Sequence, residues 1–285
     1  MNVDKSDDRS ERDQAARASL DQLVTGNAEA LRRLNRHKSG WCLNLYPEAG
    51  EASGSFRASH KPLSSSPFII NPEERTPTEA ISARQHSQEE SARRAKRQIR
   101  RYCAHNGLNR LVTLTFEGEG CHDQYQLRLL LGEFFKKLRK EIGRDFAYCW
   151  VPEWHPQGHG LHAHVAVGRF IKRSLLEAAW PHGFVHIKLI GDLPHGSQTL
   201  HQARATAGYL SKYVAKQFAD DRHIDGMHRY DVAQGFRPKP TKLFAPKLSE
   251  VLGVAVERMG APFDYIWHSN KDPTWDRPAA VYLSW

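Results

Sequence analysis

Apolar and polar positions become regularly spaced from about residue 80 onward. Leu111-Val112-Thr113-Leu114-Thr115-Phe116 reads as a strand. Gln126 to Ile142 reads as an amphipathic helix. Leu127, Leu130, Leu131, Phe134, Phe135 and Leu138 form its apolar face, and Lys136, Lys137, Arg139 and Lys140 its basic one. Phe146 to Val151 and Leu161 to Val167 are two further strands. Pro156, Gly158 and Gly160 mark the turn between them, which predicts a hairpin. Ser174 to Trp180 is a short helix with Ser174 as its expected cap. Gly183 to Leu189 is a fourth strand, and a last helix covers about Thr199 to Asp220. Strand, helix, strand, strand, helix, strand, helix predicts an α+β fold, with a central antiparallel sheet and flanking helices.

The rest is less regular. Residues 1–80 are expected to be a weakly ordered arm, with one or two short helices between Ala15 and Leu34. Glu51 to Pro67, rich in Ser and Gly, is expected to be a loop. Thr78 with Glu79 opens a helix reaching about His105. Beyond Asp220, Gly235 to Pro240 is extended and basic, Leu248 to Met259 helical, and Ala279 to Trp285 a final strand. The expected organisation is an arm over 1–80, a core domain with a leading basic helix over 81–225, and a helical and irregular C-terminal extension over 226–285.

Charge adds a partner. The chain has 285 residues, a formal net charge of +9 and 40 % hydrophobic content; its isoelectric point is about 9.4. That balance favours an anionic partner, most often nucleic acid. Arg93, Arg94, Lys96, Arg97, Arg100 and Arg101 put six cations within nine positions of the leading helix. They read as a phosphate-binding arm, or as a solvated helix face. Cys42, Cys103, Cys121 and Cys149 are widely spaced, which suggests neither a disulfide framework nor a cysteine zinc site. No apolar run approaches the roughly 20 residues that span a membrane, and the charged start lacks a secretory pattern. A cytoplasmic setting without membrane association is expected. No Gly-rich loop ends in Lys-Ser or Lys-Thr, so an ATPase or helicase module is not expected.

The candidate chemistry lies in two places. His162 and His164 are separated by one apolar residue. On a strand they point the same way and can chelate one ion. Leu161, Ala163, Val165 and Val167 would face the core, with the histidines opposite. Glu153, across the hairpin, is the favoured third ligand, with His155 and His159 as alternatives. Two imidazoles and one carboxylate leave positions open for a phosphate oxygen and water. Downstream, residues of a helix step by about 100°. Tyr209, Lys212, Tyr213 and Lys216 then share one stripe, opposite Ala203, Ala207, Leu210, Val214 and Phe218. A phenol is a poor nucleophile near neutral pH. A nearby ammonium or metal favours the phenolate, and the lysines fit that role or could stabilise negative charge on a phosphate. Metal ligands facing paired tyrosines suggest phosphodiester transfer through a tyrosine.

Over about residues 105–220 these features resemble the HUH endonucleases, and within them the rolling-circle replication initiators. The resemblance is carried by the strand Leu111 to Phe116, by His162-Ala163-His164 with Glu153, and by Tyr209-Leu210-Ser211-Lys212 followed by Tyr213-Val214-Ala215-Lys216. The doubled tyrosine is similar to the two-tyrosine branch of small phages and some plasmids. Histidines before tyrosines is the initiator order; conjugative relaxases have the reverse.

The resemblance implies a ferredoxin-like or RRM-like HUH core with Mg²⁺ or Mn²⁺ at His162, His164 and Glu153. It implies catalytic roles for Tyr209, Tyr213, Lys212 and Lys216. The substrate would be single-stranded or hairpin origin DNA, nicked to a 5′-phosphotyrosine and a free 3′-OH and later rejoined. Host helicase and polymerase would be partners, in a bacterial cytoplasm. A related transposase or relaxase-like strand transferase, and a non-catalytic DNA-binding protein, are the competing expectations. A closed structural zinc site would usually need four ligands.

Overall fold

The computed structural model describes residues 39–58, 76–188, 198–222, 224 and 226–285. The helices expected between Ala15 and Leu34 lie outside them. In chain order, β1 is Gly40–Tyr46, β2 Glu51–Arg57, α1 Pro77–His105, β3 Arg110–Leu114 and α2 Gln124–Ile142. There follow β4 Tyr148–Trp154, β5 Leu161–Val167, α3 Arg173–Ala179, β6 Val185–Lys188 and α4 Thr199–Ala219. The remaining elements are β7 Asp231–Val232, β8 Thr241–Ala245, α5 Leu248–Met259, β9 Tyr265–His268 and β10 Ala280–Ser284. The described chain is therefore α+β, as expected, with two five-stranded antiparallel sheets and five helices.

Contacts divide it into two compact units built from non-adjacent stretches. The larger comprises residues 46–51 and 68–240, the other residues 1–45, 52–67 and 241–285.

In the larger unit the strand order is β6-β3-β5-β4-β7. Side chains alternate between the two faces of a strand, and here both faces of β5 are covered. Leu161, Ala163, Val165 and Val167 enter a core with Leu127, Leu131, Phe134, Phe135 and Leu138 of α2 and Leu176 and Ala179 of α3. Ala166 enters a second core with Ile99, Tyr102 and Cys103 of α1 and Ala207, Leu210 and Val214 of α4. Every residue of β5 is consequently buried. The histidine face, expected to lie opposite the core, belongs to a second apolar layer in which α4 is seated.

Local chemistry accounts for the helix ends. Thr76 and Glu79 form a reciprocal capping box at the start of α1, followed by Pro77 at the first helical position. Ser174 does not cap α3: the helix begins one residue earlier, Lys172 is the flanking residue, and no side chain caps it. Asp123, unremarked in the sequence, caps α2 by accepting a hydrogen bond from the Tyr125 backbone N–H.

The smaller unit has the strand order β8-β1-β2-β10-β9. Leu43 and Leu45 of β1, Leu243 and Ala245 of β8, and Val281 and Leu283 of β10 pack with Val251 and Ala255 of α5. This corrects two expectations. Glu51–Arg57 is a strand rather than the start of a loop, and residues 40–57 contain ordered β-structure. The rest of the expected loop, residues 59–67, lies outside the described chain. Of the C-terminal segments, α5 and β10 coincide with expectation, whereas β8 and β9 were not foreseen.

Candidate metal and tyrosine site

The β4–β5 register sets one side of the site. Glu153 lies directly opposite His162, and Val151 opposite His164. Residues facing each other across an antiparallel pair share a face. The three polar side chains therefore converge beneath α4. The hairpin that fixes this register closes through His155 N–H donating to Gly160 O at 2.8 Å. A side chain at Gly160 (φ +75°) would place its Cβ 2.3 Å from the Cys121 carbonyl oxygen, so only glycine fits.

Glu153 Oε2 lies 2.9 Å from His162 Nε2 and 2.8 Å from His164 Nε2. The two imidazole nitrogens are 3.1 Å apart. These residues are 7 %, 8 % and 5 % exposed. The triangle fits a small divalent cation. Ligands held at about 2.1 Å and at right angles stand ~3.0 Å apart. Protons alone satisfy the cluster poorly, because each N–H can point at only one partner, and His162 Nδ1 is buried without one. His155 and His159, the alternative ligands, pack on one another outside this triangle, with the His155 ring centre 5.8 Å from that of His162.

Electrostatics suit a ligand role. Burial opposes ionisation of Glu153, but hydrogen bonds from His162, His164 and Lys216 outweigh it and hold the carboxyl well below the usual range. Burial pushes His164 down, aided by the charges of His162 and Lys216 and opposed by Glu153. A neutral imidazole keeps its lone pair for a metal. Lys216 Nζ sits 2.5 Å from Glu153 Oε1, the carboxylate oxygen turned away from the histidines. On the other side, Thr113 Oγ1 is 3.1 Å from His164 Nδ1. Thr113 lies opposite His164 in the β3–β5 register. The strand motif containing it was visible in the sequence, but this contact was not.

The tyrosine stripe faces the triad. Tyr209 and Tyr213 are half-buried and pack at the margin of the second core, while Lys212 and Lys216 are exposed. The Tyr213 ring lies flat on His164, with centroids 3.7 Å apart and planes at 18°. Tyr209 meets Tyr213 edge-on at 5.0 Å. The two phenols are not equivalent. Burial, the Tyr209 hydroxyl and the Glu153 charge push the Tyr213 phenol up, away from phenolate. Lys216 Nζ lies 5.3 Å from the Tyr213 ring centre. An unforeseen cation, Lys188 on β6, stands 4.4 Å from the Tyr209 ring centre. Its only signal in sequence was its place on the alternating strand Gly183 to Leu189.

The six cations of α1 divide. Arg101 Nε and Arg100 Nη2 donate to the buried Glu51 carboxylate at 2.5 and 3.2 Å. Arg101 also stacks over Tyr46 at 3.7 Å. Arg94 donates to Ser91, and Arg93 makes loose exposed contacts with Glu89 and Glu90. Lys96 and Arg97 are exposed on the outer face. Two of the six therefore fasten α1 to the β1–β2 turn.

Residues 109–218 match the model of a replication-associated protein family of the ORF2 type. The matched span runs from just before β3 almost to the end of α4, and holds the triad, both tyrosines and both lysines. It is consistent with a replication initiator that acts on DNA. Nothing matches among curated proteins or among solved structures. No described helix is long and apolar enough to cross a membrane.

Proposed function

We propose that the protein is a rolling-circle replication initiator of the HUH type, which nicks one DNA strand at an origin and later rejoins the displaced strand. The observation carrying this reading is the face-to-face placement of the Glu153–His162–His164 triangle and the Tyr209–Tyr213 pair. The family match agrees with it, because the matched span contains both halves of the site.

His162, His164 and Glu153 would hold Mg²⁺ or Mn²⁺, which, when bound, supplies positive charge to the scissile phosphate. The β4–β5 hairpin fixes those three ligands, and Lys216 anchors Glu153 from its free oxygen. One tyrosine oxygen attacks phosphorus and loses its proton. The bond from phosphorus to the 3′ oxygen breaks, and that oxygen takes up a proton as the free 3′-OH. The 5′ side remains on the enzyme as a phosphotyrosine. Lys212 and Lys216, on the same stripe, face the negative charge of the transferring phosphate. One ester replaces another, so ATP is not consumed. The second tyrosine is placed for the return step, because residues four apart on a helix stand about 6 Å from each other. The free 3′-OH would then prime a host polymerase, behind a host helicase.

The test is incubation of the full chain with single-stranded oligonucleotides tiled from its neighbouring DNA, with Mn²⁺ or with EDTA. A protein–DNA adduct mapped by peptide mass spectrometry to Tyr209 or Tyr213, and lost in EDTA, is the expected result. Tyr209→Phe combined with Tyr213→Phe should remove the adduct and spare binding. Adduct formation by that double variant overturns the mechanism. Binding without any adduct would favour a non-catalytic DNA-binding protein.

A further inference from the structure

The site face of the sheet is only partly roofed. Helix α4 packs chiefly on β4, with lighter contact to β3 and β5. The edge strand β6 carries a row of side chains on that same face. Thr115 and Phe184 exchange two backbone hydrogen bonds, which makes them directly opposed. His186 lies opposite Thr113, and Lys188 opposite Leu111. Thr113 faces His164, and Leu111 belongs to the core beneath α4. The next residue inward, Val185, points the other way into the α2 and α3 core. Phe184, His186 and Lys188 therefore form one ladder on the catalytic face, two strands from the histidines. Adjacent strands stand about 4.8 Å apart, so the ladder begins roughly 10 Å from His164.

This ladder has the composition of a base-stacking track. Phe184 is 60 % exposed, although a phenylalanine on this face gains nothing from water. His186 and Lys188 are exposed as well. Gly183 brings Phe184 against β3. A Cβ there would stand 2.3 Å from the Thr115 carbonyl oxygen, so no other residue allows this approach. Lys188 reaches from the ladder to the Tyr209 ring, which makes the ladder continuous with the tyrosine pair. An aromatic ring, an imidazole and an ammonium in sequence suit a single nucleic-acid strand, because every base offers a π-face and every nucleotide a phosphate. A peptide added at this edge would be read mainly through its backbone, and would leave the phenyl ring and the charge unexplained.

We infer that Phe184, His186 and Lys188 form a binding site for the single strand beside the scissile phosphate, with a base stacked on Phe184 and a phosphate held by Lys188. This rests on the reading of the centre as a nickase, but its test does not require cleavage. The full-length Tyr209→Phe, Tyr213→Phe protein in EDTA is titrated with fluorescein-labelled oligothymidylate, and with an abasic oligonucleotide of equal length. Adding Phe184→Ala should weaken oligothymidylate binding about tenfold and leave abasic binding unchanged. Phe184→Tyr should restore the affinity. Phe184→Leu, which keeps the apolar bulk and protects the fold, should not. Equal oligothymidylate affinity with and without Phe184→Ala overturns the inference and leaves the nickase reading standing. Equal losses on both oligonucleotides also overturn it, since stacking would then be absent. Failure of the parent protein to bind either oligonucleotide would remove both readings.

Discussion

The two faces of β5 do different work with alternate residues of one seven-residue strand. Leu161, Ala163, Val165 and Val167 enter a dry core filled by aromatic rings, among them Phe134, Phe135 and Trp180. Phe135 and Tyr148 stack there at 3.5 Å with planes at 4°. His162 and His164 enter a face where the apolar layer is built mostly of smaller side chains and is interrupted by Glu153 and Lys216. A polar cluster buried this deeply is tolerated only if its members satisfy one another or a cation does. The first face can supply stability without chemistry. The second gives up apolar contacts to hold ligands in fixed positions.

The strongest way to break the comparison is to strip the polar face. His162→Ala combined with His164→Ala should reduce metal-dependent cleavage to background while unfolding stays cooperative. Full cleavage in Mn²⁺ would remove the ligand assignment. On the dry face, Phe134→Ala should lower stability by about 3–5 kcal/mol, read by urea denaturation. The folded fraction should bind Mn²⁺ with unchanged affinity by calorimetry. A matching loss of affinity would show that the faces are not separable. A subtler change is Thr113→Val, which removes the hydroxyl beside His164 Nδ1. Outer partners of a ligating histidine set its orientation, so Mn²⁺ affinity should fall about tenfold with little change in urea midpoint. An unchanged affinity would make that hydroxyl incidental.

The smallest effect concerns pH. The His164 imidazole is held below its ordinary value, near 6.5 in an unfolded chain. Between the two values the unfolded chain binds more protons, so stability rises with pH and is lost as pH falls below about 6.5. Glu153, also depressed when folded, adds a second loss in the same direction, beginning below about 4.3. In metal-free protein the urea midpoint should therefore drop on acidification. His164→Gln should flatten the slope just below pH 6.5. A slope unchanged by that substitution would assign it to other groups.

The larger unit was readable because its signals are local. The 2-residue period of Leu161 to Val167, the apolar stripe of α2 and the glycines of the hairpin each act within a few neighbours. The smaller unit was not. Glu51-Ala52-Ser53-Gly54-Ser55-Phe56-Arg57 has the composition of a loop and becomes β2 through strands distant in sequence, with Phe56 N–H donating to Ala279 O at 2.8 Å. A Cβ on Gly54 would stand 2.1 Å from the Cys42 carbonyl oxygen, so a residue that read as loop punctuation is required by a close strand approach. The basic run of α1 was legible as charge but not as contact, because Glu51, which takes up Arg100 and Arg101, is about fifty residues away in sequence.

The sequence by itself determined the donor set and its order. Two histidines one residue apart must share a face of a strand, and tyrosines and lysines spaced by three and four must share a stripe of a helix, because backbone geometry fixes both periods. The tertiary structure decided which faces meet. Only the β4–β5 register sets Glu153, rather than His155 or His159, against the histidines. Only the seating of α4 lays Tyr213 on His164 and leaves β6 open beside Tyr209. Those relations depend on packing between elements far apart in the chain, and no local period encodes them.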